Sequence, residues 1–555
     1  MAGKALGRYF YFTPLVLIAF LLAQLPELEA ASPLYRNSVA SESPRAVLEA
    51  SKILRRGGSA ADAAIVAALV AGGTSPTSSG IGGGGFLLGF DSKKQDTFVL
   101  DFRETAPAGL DASVFEERPL GVERSGHLVG VPGELRGLQA LHQRAGRLPF
   151  SELVEPARRA AADGFATSRH LHNMLVWAEK KVKTVPGLAS IYFSGGRPAA
   201  VGARLKNPGL ARSLKKVRDD GVDAFYQGPI AAAFVAQARA HGSPMELSDL
   251  KNYQVKTRQP LCTNFAQHRV CTMPPPSAGG LMLMELLQLF QPEELRSLGH
   301  DSSAYQHLIA EGMRGAIADR LRYLGDPDFQ TVDTKGLLDP QRMSLRRSMI
   351  SATRTHGLPS FGLEEHGTHH LATSDSDGNI VSLTTTVNRL FGAKLNVEEY
   401  GIIQNDELDD FTPQKVMTAF GMSRSPNRPR PGARPISSMT PTIIFREGQA
   451  RYALGGSGGM TIATNVSQVV LNLLAFSMNP QEAVSADRIY IPTQQETVRI
   501  EKGADEQLAK ELRARGEVVG RQKFSTTAVQ VVSAQAAGAP SAADPRKFGG
   551  AWSDE

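Results

Sequence analysis

Two periodicities take turns along this chain. Apolar residues recur at helical spacing in SPRAVLEASKILRRGG and again in SAADAAIVAALVAGG. Two helices are therefore expected, the first ended by Gly57-Gly58, the second opened by Ser59 with Asp62 three residues on. FLLGFD and TFVLDFR then alternate apolar and polar positions around SKKQD, which reads as a β-hairpin. Residues 110–330 are mostly helical in pattern, as in LRGLQALHQRAGR, PIAAAFVAQARAHG and GLMLMELLQLF. From residue 368 the chain turns strand-rich, with HLATSDSDGNIVSLTTTV and MTPTIIFREGQARYALGG, then a helix in MTIATNVSQVVLNLLAF and a strand in STTAVQVVSA. This order predicts layered α and β elements around one core, with no repeat and no independent module.

Turn chemistry fixes two registers. Taking Asp377-Gly378 as a two-residue hairpin loop sets Thr368 across from Val387, with Thr386 and Asn388 as its diagonal neighbours. In QPLCTNFAQHRVC, a loop at FAQH makes Cys262 face Cys271 at a separation a disulfide can close; two half-buried thiols are the alternative.

Composition narrows the class. Of 555 residues, 42% are hydrophobic and 21% charged, as in a folded globular protein. The net charge of +6 is scattered except in SRSPNRPRPGAR, where no aromatic residue interleaves, so a solvated basic loop is expected and nucleic-acid binding is not. At the N-terminus, Lys4 and Arg8 precede an apolar run from Tyr9 to Ala23, and small residues follow at Ala30, Ala31 and Ser32. Residues 1–30 read as a secretory signal peptide, or if uncut as a short anchor, which predicts an exported, periplasmic or extracellular protein. Gly80, Gly82 and Gly85 spell GxGxxG, but a helix precedes and a hairpin follows, so no dinucleotide site is expected and the glycines read as points of close backbone approach.

EEHGTHH, residues 364–370, admits three readings. Thr368 suits the start of a strand because it is β-branched. His366, His369 and His370 suggest a metal, but HExxH, a Cys/His spacing and a carboxylate at fixed offset are all missing, so no metal is expected. The third reading is a threonine that becomes an N-terminal nucleophile after the Gly367–Thr368 bond is cut. Its own amine, with an ordinary pKa of about 8, then serves as the base.

The stretches SSGIGGGGF, LDFRETAP, VPGE, MPPPSAGG, HGTHH with DGNIVSLTTTVN, GIIQNDELDDF, RPISSMTPTII, GGSGG and DPRK follow one another in the order and spacing of a known family. The chain resembles the γ-glutamyltranspeptidases (glutathione hydrolases) of the N-terminal-nucleophile hydrolase superfamily over nearly its whole length. That resemblance implies an α+β fold, a four-layer αββα sandwich built by both halves of a self-cleaved precursor. It implies a large subunit of residues 31–367 and a small subunit of residues 368–555, cut between Gly367 and Thr368. It also implies that Thr368 is the nucleophile, that Thr386 positions it, and that Gly458 and Gly459 form the oxyanion hole. Arg103, Ser437 and Ser438 would take the substrate carboxylate, and Asn388, Glu407 and Asp410 its ammonium. No cofactor is implied. Glutathione and other γ-glutamyl compounds would be donors, and water, amino acids or dipeptides acceptors.

Two departures stand out. Many bacterial members of that family have Thr-Thr-His where this chain has Thr368-His369-His370, so an imidazole replaces a hydroxyl beside the nucleophile. The segment from Phe411 to Ser437 is long enough for a lid but holds no tyrosine, which leaves Phe420 as the candidate lid aromatic. Rival readings are a cephalosporin or glutaryl acylase of the same fold, whose pocket need not hold an ammonium, and an uncut, inactive binding protein.

Overall fold

A computed structural model of the chain describes residues 1, 34–117, 125–356, 367–412, 414–419, 421–491, 497–522 and 527–554. The leader, His366 and Phe420 lie outside the described residues. Among the described residues, no helix is long and apolar enough to cross a membrane.

Strands of the two main sheets are β1 (Ser38–Ser41), β2 (Gly84–Asp91), β3 (Asp96–Phe102), β4 (Lys256–Arg258), β5 (Leu261–Phe265), β6 (His268–Thr272), β7 (His369–Ser374), β8 (Ile380–Thr386), β9 (Thr442–Arg446), β10 (Gln449–Ser457), β11 (Ala528–Ser533), β12 (Ala542–Ala543) and β13 (Gly550–Ser553). One seven-stranded sheet has the order β13-β1-β7-β8-β2-β3-β4, and a six-stranded sheet the order β12-β11-β10-β9-β6-β5. The hairpin β7–β8 thus sits between strands from the first part of the chain, so neither part completes a sheet alone.

Side-chain alternation explains the layering. Leu87, Leu100, Leu371 and Leu383 pack with helices α1 (Pro44–Arg55), α2 (Ala60–Thr74) and α3 (Glu134–Ala145). Phe86, Leu88, Val99 and Ala372 point the other way, into the core shared with the second sheet and with α4 (Gly279–Leu289), α5 (Ser303–Tyr323) and α6 (Ile462–Leu474). The result is helices, sheet, sheet, helices. The expected cap of α2 is present as a capping box between Ser59 and Asp62. Its alanines are buried along its length against the first sheet. Gly83 shows the close approach read from the glycine passage, because a Cβ there would lie 1.9 Å from the Thr386 carbonyl oxygen.

Two registers can be compared with expectation. Cys262 pairs with Cys271 across β5–β6, and the two form a disulfide. The β7–β8 hairpin differs by one place, because His369 pairs with Thr385. Its turn contains three residues, 376–378: the amide of Asp375 donates to Asn379 O at 3.0 Å, and Gly378 takes a φ of 85°. The Asp375 carboxylate accepts from the amides of Asp377 and Asn379, at 3.1 and 3.0 Å, which stabilises the wider turn over the two-residue one. Carried to the strand end, this register sets Thr368 opposite Thr386 rather than diagonal to it.

Arg434, expected on a solvated loop, is buried with its guanidinium beside Asp101. Arg424 of the same stretch is exposed.

Candidate active site

Thr368 is buried at the mouth of β7, its Oγ1 3.4 Å from Thr386 Oγ1. Both residues of the Gly367–Thr368 pair have positive φ, 126° and 146°. For threonine this is a strained conformation, costing on the order of 1–3 kcal/mol. A Cβ at residue 367 would lie 2.2 Å from Asn388 O, so glycine is required there. Beyond β8 the chain bends sharply at Asn388, with φ 70°. Its amide donates to Thr386 Oγ1 at 2.8 Å and its Nδ2 to Asp406 O at 3.1 Å. Thr386 Oγ1 thus accepts from the Asn388 amide and shares a second hydrogen bond with Thr368, in which either hydroxyl can donate.

Asp406 leads into a short turn, Glu407–Asp410, that faces Arg103. Arg103 donates to Glu407 Oε1 and, at 2.5 Å, to Asp410 Oδ2. It also donates to the carbonyls of Pro435 and Ile436, at 3.2 and 3.0 Å. All three charged side chains are buried. Burial works against the Arg103 charge, but Glu407, Asp410 and Glu104 outweigh it and hold the guanidinium above its ordinary pKa. Burial pushes Glu104 up to about 7 against the pull of Arg103, and pushes Glu407 well above the carboxylate range. One guanidinium facing three carboxyls leaves this pocket short of positive charge. A ligand that brings an ammonium together with a carboxylate would satisfy both sides.

Ser437 and Ser438 follow Ile436 directly. The Ser438 hydroxyl accepts from the buried Arg320 and donates to Met460 Sδ at 3.5 Å. The Ser437 hydroxyl accepts from the amide of Met439 at 3.1 Å. Met460 belongs to the glycine turn after β10, in which Gly458 and Gly459 have φ of 118° and 64°. A Cβ on Gly458 would lie 2.4 Å from Thr527 Oγ1. The turn opens α6, so successive amides point out of the helix start, an arrangement suited to an oxyanion. Gly455 of the same strand packs on the His370 ring, where a Cβ would lie 2.4 Å from Cε1. The start of β7 and the end of β10 are therefore neighbours across the two sheets.

The histidines divide the same way. Among the described residues no cluster of three or more side chains is arranged to hold a metal. His369 Nε2 pairs with Ser41 Oγ at 2.8 Å and His370 Nδ1 with Thr384 Oγ1 at 2.8 Å. Burial lowers His369 to about 4 and His370 well below the usual range, so both are neutral at pH 7. The imidazole beside Thr368 therefore adds no charge near neutral pH.

Thr368, Thr386 and Asn388 are joined by hydrogen bonds that run on through Asp406 to Glu407, Asp410 and Arg103, while Ser438 reaches the glycine turn through Met460. Sequence reasoning missed Arg320 and Met460. Arg320 lies in AIADRLRYLGD on α5, a helix buried around most of its girth. A charged residue at such a position is a signal only once burial is known.

Comparison with known proteins gives a consistent result. Residues 46–553 match the family model described as Gamma-glutamyltranspeptidase. The chain is 36% identical over 404 residues to glutathione hydrolase 2 of Arabidopsis thaliana, covering 70% of this chain and 69% of that protein. It is 32% identical over 477 residues to the glutathione hydrolase proenzyme of Bacillus subtilis strain 168, covering 81% and 79%. Among solved structures, a cephalosporin acylase from Bacillus halodurans superimposes with a TM-score of 0.83 at 25% identity, over 94% of this chain and 96% of that one. With the αββα layering and the connected site around Thr368, these matches establish that the chain belongs to the gamma-glutamyltranspeptidase family.

Proposed function

We propose that this protein is a self-cleaving γ-glutamyl transferase and hydrolase that takes glutathione and related γ-glutamyl compounds as donors. The observation that carries the reading is the pairing of a strained Gly367–Thr368 peptide with a pocket holding one guanidinium and several carboxyls. In maturation, Thr368 Oγ1 attacks the Gly367 carbonyl carbon, the C–N bond breaks, and the acyl group moves from nitrogen to oxygen. Relief of the strained dihedrals favours this shift. Water hydrolyses the ester, leaving a carboxylate on Gly367 and a free amine on Thr368. Residues 31–367 and 368–555 stay together because β7–β8 lies inside the first sheet.

In turnover the Thr368 amine takes the hydroxyl proton and Oγ1 attacks the γ-carbonyl of the donor. Gly458 and Gly459 amides hold the oxyanion, and the leaving amine departs with the proton. The γ-glutamyl ester then passes to water, an amino acid or a dipeptide. The donor carboxylate meets Arg103, Ser437 and Ser438, while its ammonium meets Asn388, Glu407 and Asp410. Arg320 orients Ser438. The N-terminal leader supports export, with the protein acting in the periplasm or outside the cell.

The structural likeness to a cephalosporin acylase favours a second reading, a glutaryl-type acylase. A glutaryl group keeps the terminal carboxylate of a γ-glutamyl group and lacks its ammonium. Release of 4-nitroaniline from the two anilides separates the readings. The γ-glutamyl anilide is expected to be strongly preferred, and equal or better glutaryl turnover overturns the transferase assignment. N-terminal sequencing of the smaller band on a denaturing gel tests the cut, since a start anywhere but Thr368 removes the nucleophile.

A further inference from the structure

One buried ion pair near the site has no place in the mechanism above. Glu42, just after β1, lies 3.1 Å from the ammonium of Lys547, and the two side chains are each 3% exposed. The other carboxylate oxygen of Glu42 accepts from the amide of His370 at 3.2 Å. Lys547 also donates to the hydroxyl of Ser457. Burial alone would raise the Glu42 carboxyl, but Lys547, with His369 and the Ser457 hydroxyl, holds it below its ordinary pKa.

Burying two charges costs more than packing apolar groups of the same size, and such pairs contribute little net stability. What this pair does provide is a fixed relation between distant segments. His370 is the second residue after Thr368, and Ser457 immediately precedes Gly458. A single carboxylate–ammonium bridge thus ties the backbone of the nucleophile strand to the side chain at the head of the glycine turn. Neither Glu42 nor Lys547 touches Thr368 itself. The half-buried His170 stands nearby, and burial lowers it to about 4, so it adds no competing cation at neutral pH.

We propose that Glu42 and Lys547 are positioning residues that hold the Thr368 hydroxyl and the Gly458–Gly459 amides at reacting distance. This rests on the proposed function, and it adds that the alignment is set from behind the site by a pair spanning the cut. Glu42 lies in the large fragment, and His370, Ser457 and Lys547 in the small one.

The test uses full-length protein, first shown to mature and to release nitroaniline from γ-glutamyl-4-nitroanilide. A wild type lacking that activity would refute the function and not this inference. Lys547→Met is expected to lower kcat by about tenfold or more, with KM within about twofold, because misplacement of reacting groups acts on the chemical step. Lys547→Arg is expected to recover most of the loss. In Glu42→Gln/Lys547→Met no unpaired charge is buried, so the melting temperature should recover while kcat stays low. Wild-type kcat in Lys547→Met, or a double variant whose kcat recovers along with its melting temperature, overturns the proposal by reducing the pair to a stability element. Should Lys547→Met fail to fold, Glu42→Gln keeps an acceptor for His370 and nearly the same shape, and an unchanged kcat in that variant overturns the proposal equally.

Discussion

Arg103 and Asp410 are bonded to each other, NH2 to Oδ2 at 2.5 Å, with both side chains buried. In the proposed reaction these two residues receive opposite ends of one substrate head, yet in the structure they are paired with each other. Binding must therefore exchange one internal ion pair for two external ones. An ammonium is what the crowded carboxyls of Glu104, Glu407 and Asp410 lack, so discrimination for a γ-glutamyl over a glutaryl group should lie with Glu407 and Asp410. Asp410→Asn is expected to cut the γ-glutamyl preference in kcat/KM by about 30-fold or more, the effect of removing one partner of a buried charge pair. The glutaryl anilide should change far less. Parallel losses on both anilides would place the ammonium elsewhere.

Thr386 accepts from the Asn388 amide and hydrogen-bonds Thr368, so its hydroxyl is held in place against the nucleophile. Thr386→Ala is expected to lower kcat by about a hundredfold with KM little changed, since the nucleophile loses its orientation and the substrate head keeps its partners. Thr386→Ser keeps the hydroxyl and should restore most of the rate. Steady-state kinetics on γ-glutamyl-4-nitroanilide read both. A large rise in KM with kcat intact would assign Thr386 to substrate binding.

The legible parts of this molecule were those set by local chemistry. Ser59 and Asp62 cap α2 as their spacing requires, and Cys262 faces Cys271 because the register of β5–β6 survives any choice of a two- or four-residue loop. The β7–β8 register was misjudged by one residue because Asp-Gly favours a two-residue turn, whereas the Asp375 carboxylate accepts two loop amides and stabilises a wider one. The correction strengthens the site by setting Thr386 directly opposite Thr368. Arg103, Glu407 and Asp410 were legible as a set only through family spacing; that they bind one another needed the fold. Arg320 and Lys547 were not legible at all, since each looks like a surface cation until burial shows what it holds.

Arg320 can only donate, so the Ser438 hydroxyl must accept from it and turn its own proton outward, at present toward Met460. A substrate carboxylate would take that proton. Arg320→Lys, a point donor in place of a fork, is expected to raise KM by about 10-fold or more with kcat held, as for one hydrogen bond to a charged group. In a Ser438→Ala background the same change should cost nothing further. Independent, additive losses would mean that Arg320 does not act through Ser438.

Two buried carboxyls give stability a definite pH dependence. Burial pushes Glu134 up to about 8, against the hydrogen bond it accepts from Thr385, and Glu104 up to about 7. Their ordinary value is about 4.3. Above that pH the unfolded chain has released both protons while the native protein retains them, so stability falls as pH rises toward 7 and 8. Each group contributes a slope of at most about 1.4 kcal/mol per pH unit. His369 acts oppositely, because its native value of about 4 lies below the ordinary 6.5 or so, and it lowers stability as pH falls from about 6.5 to 4. Between pH 6.5 and 8 the carboxyls act alone among these groups, and the melting temperature should decline across that window. Glu134→Gln keeps an acceptor for Thr385 and removes the later-titrating carboxyl, so it should flatten the decline between pH 7 and 8. Calorimetry at half-unit steps checks this, and a melting temperature that rises through the window, or an unaltered slope in Glu134→Gln, would show that Glu134 is ionised in the native protein.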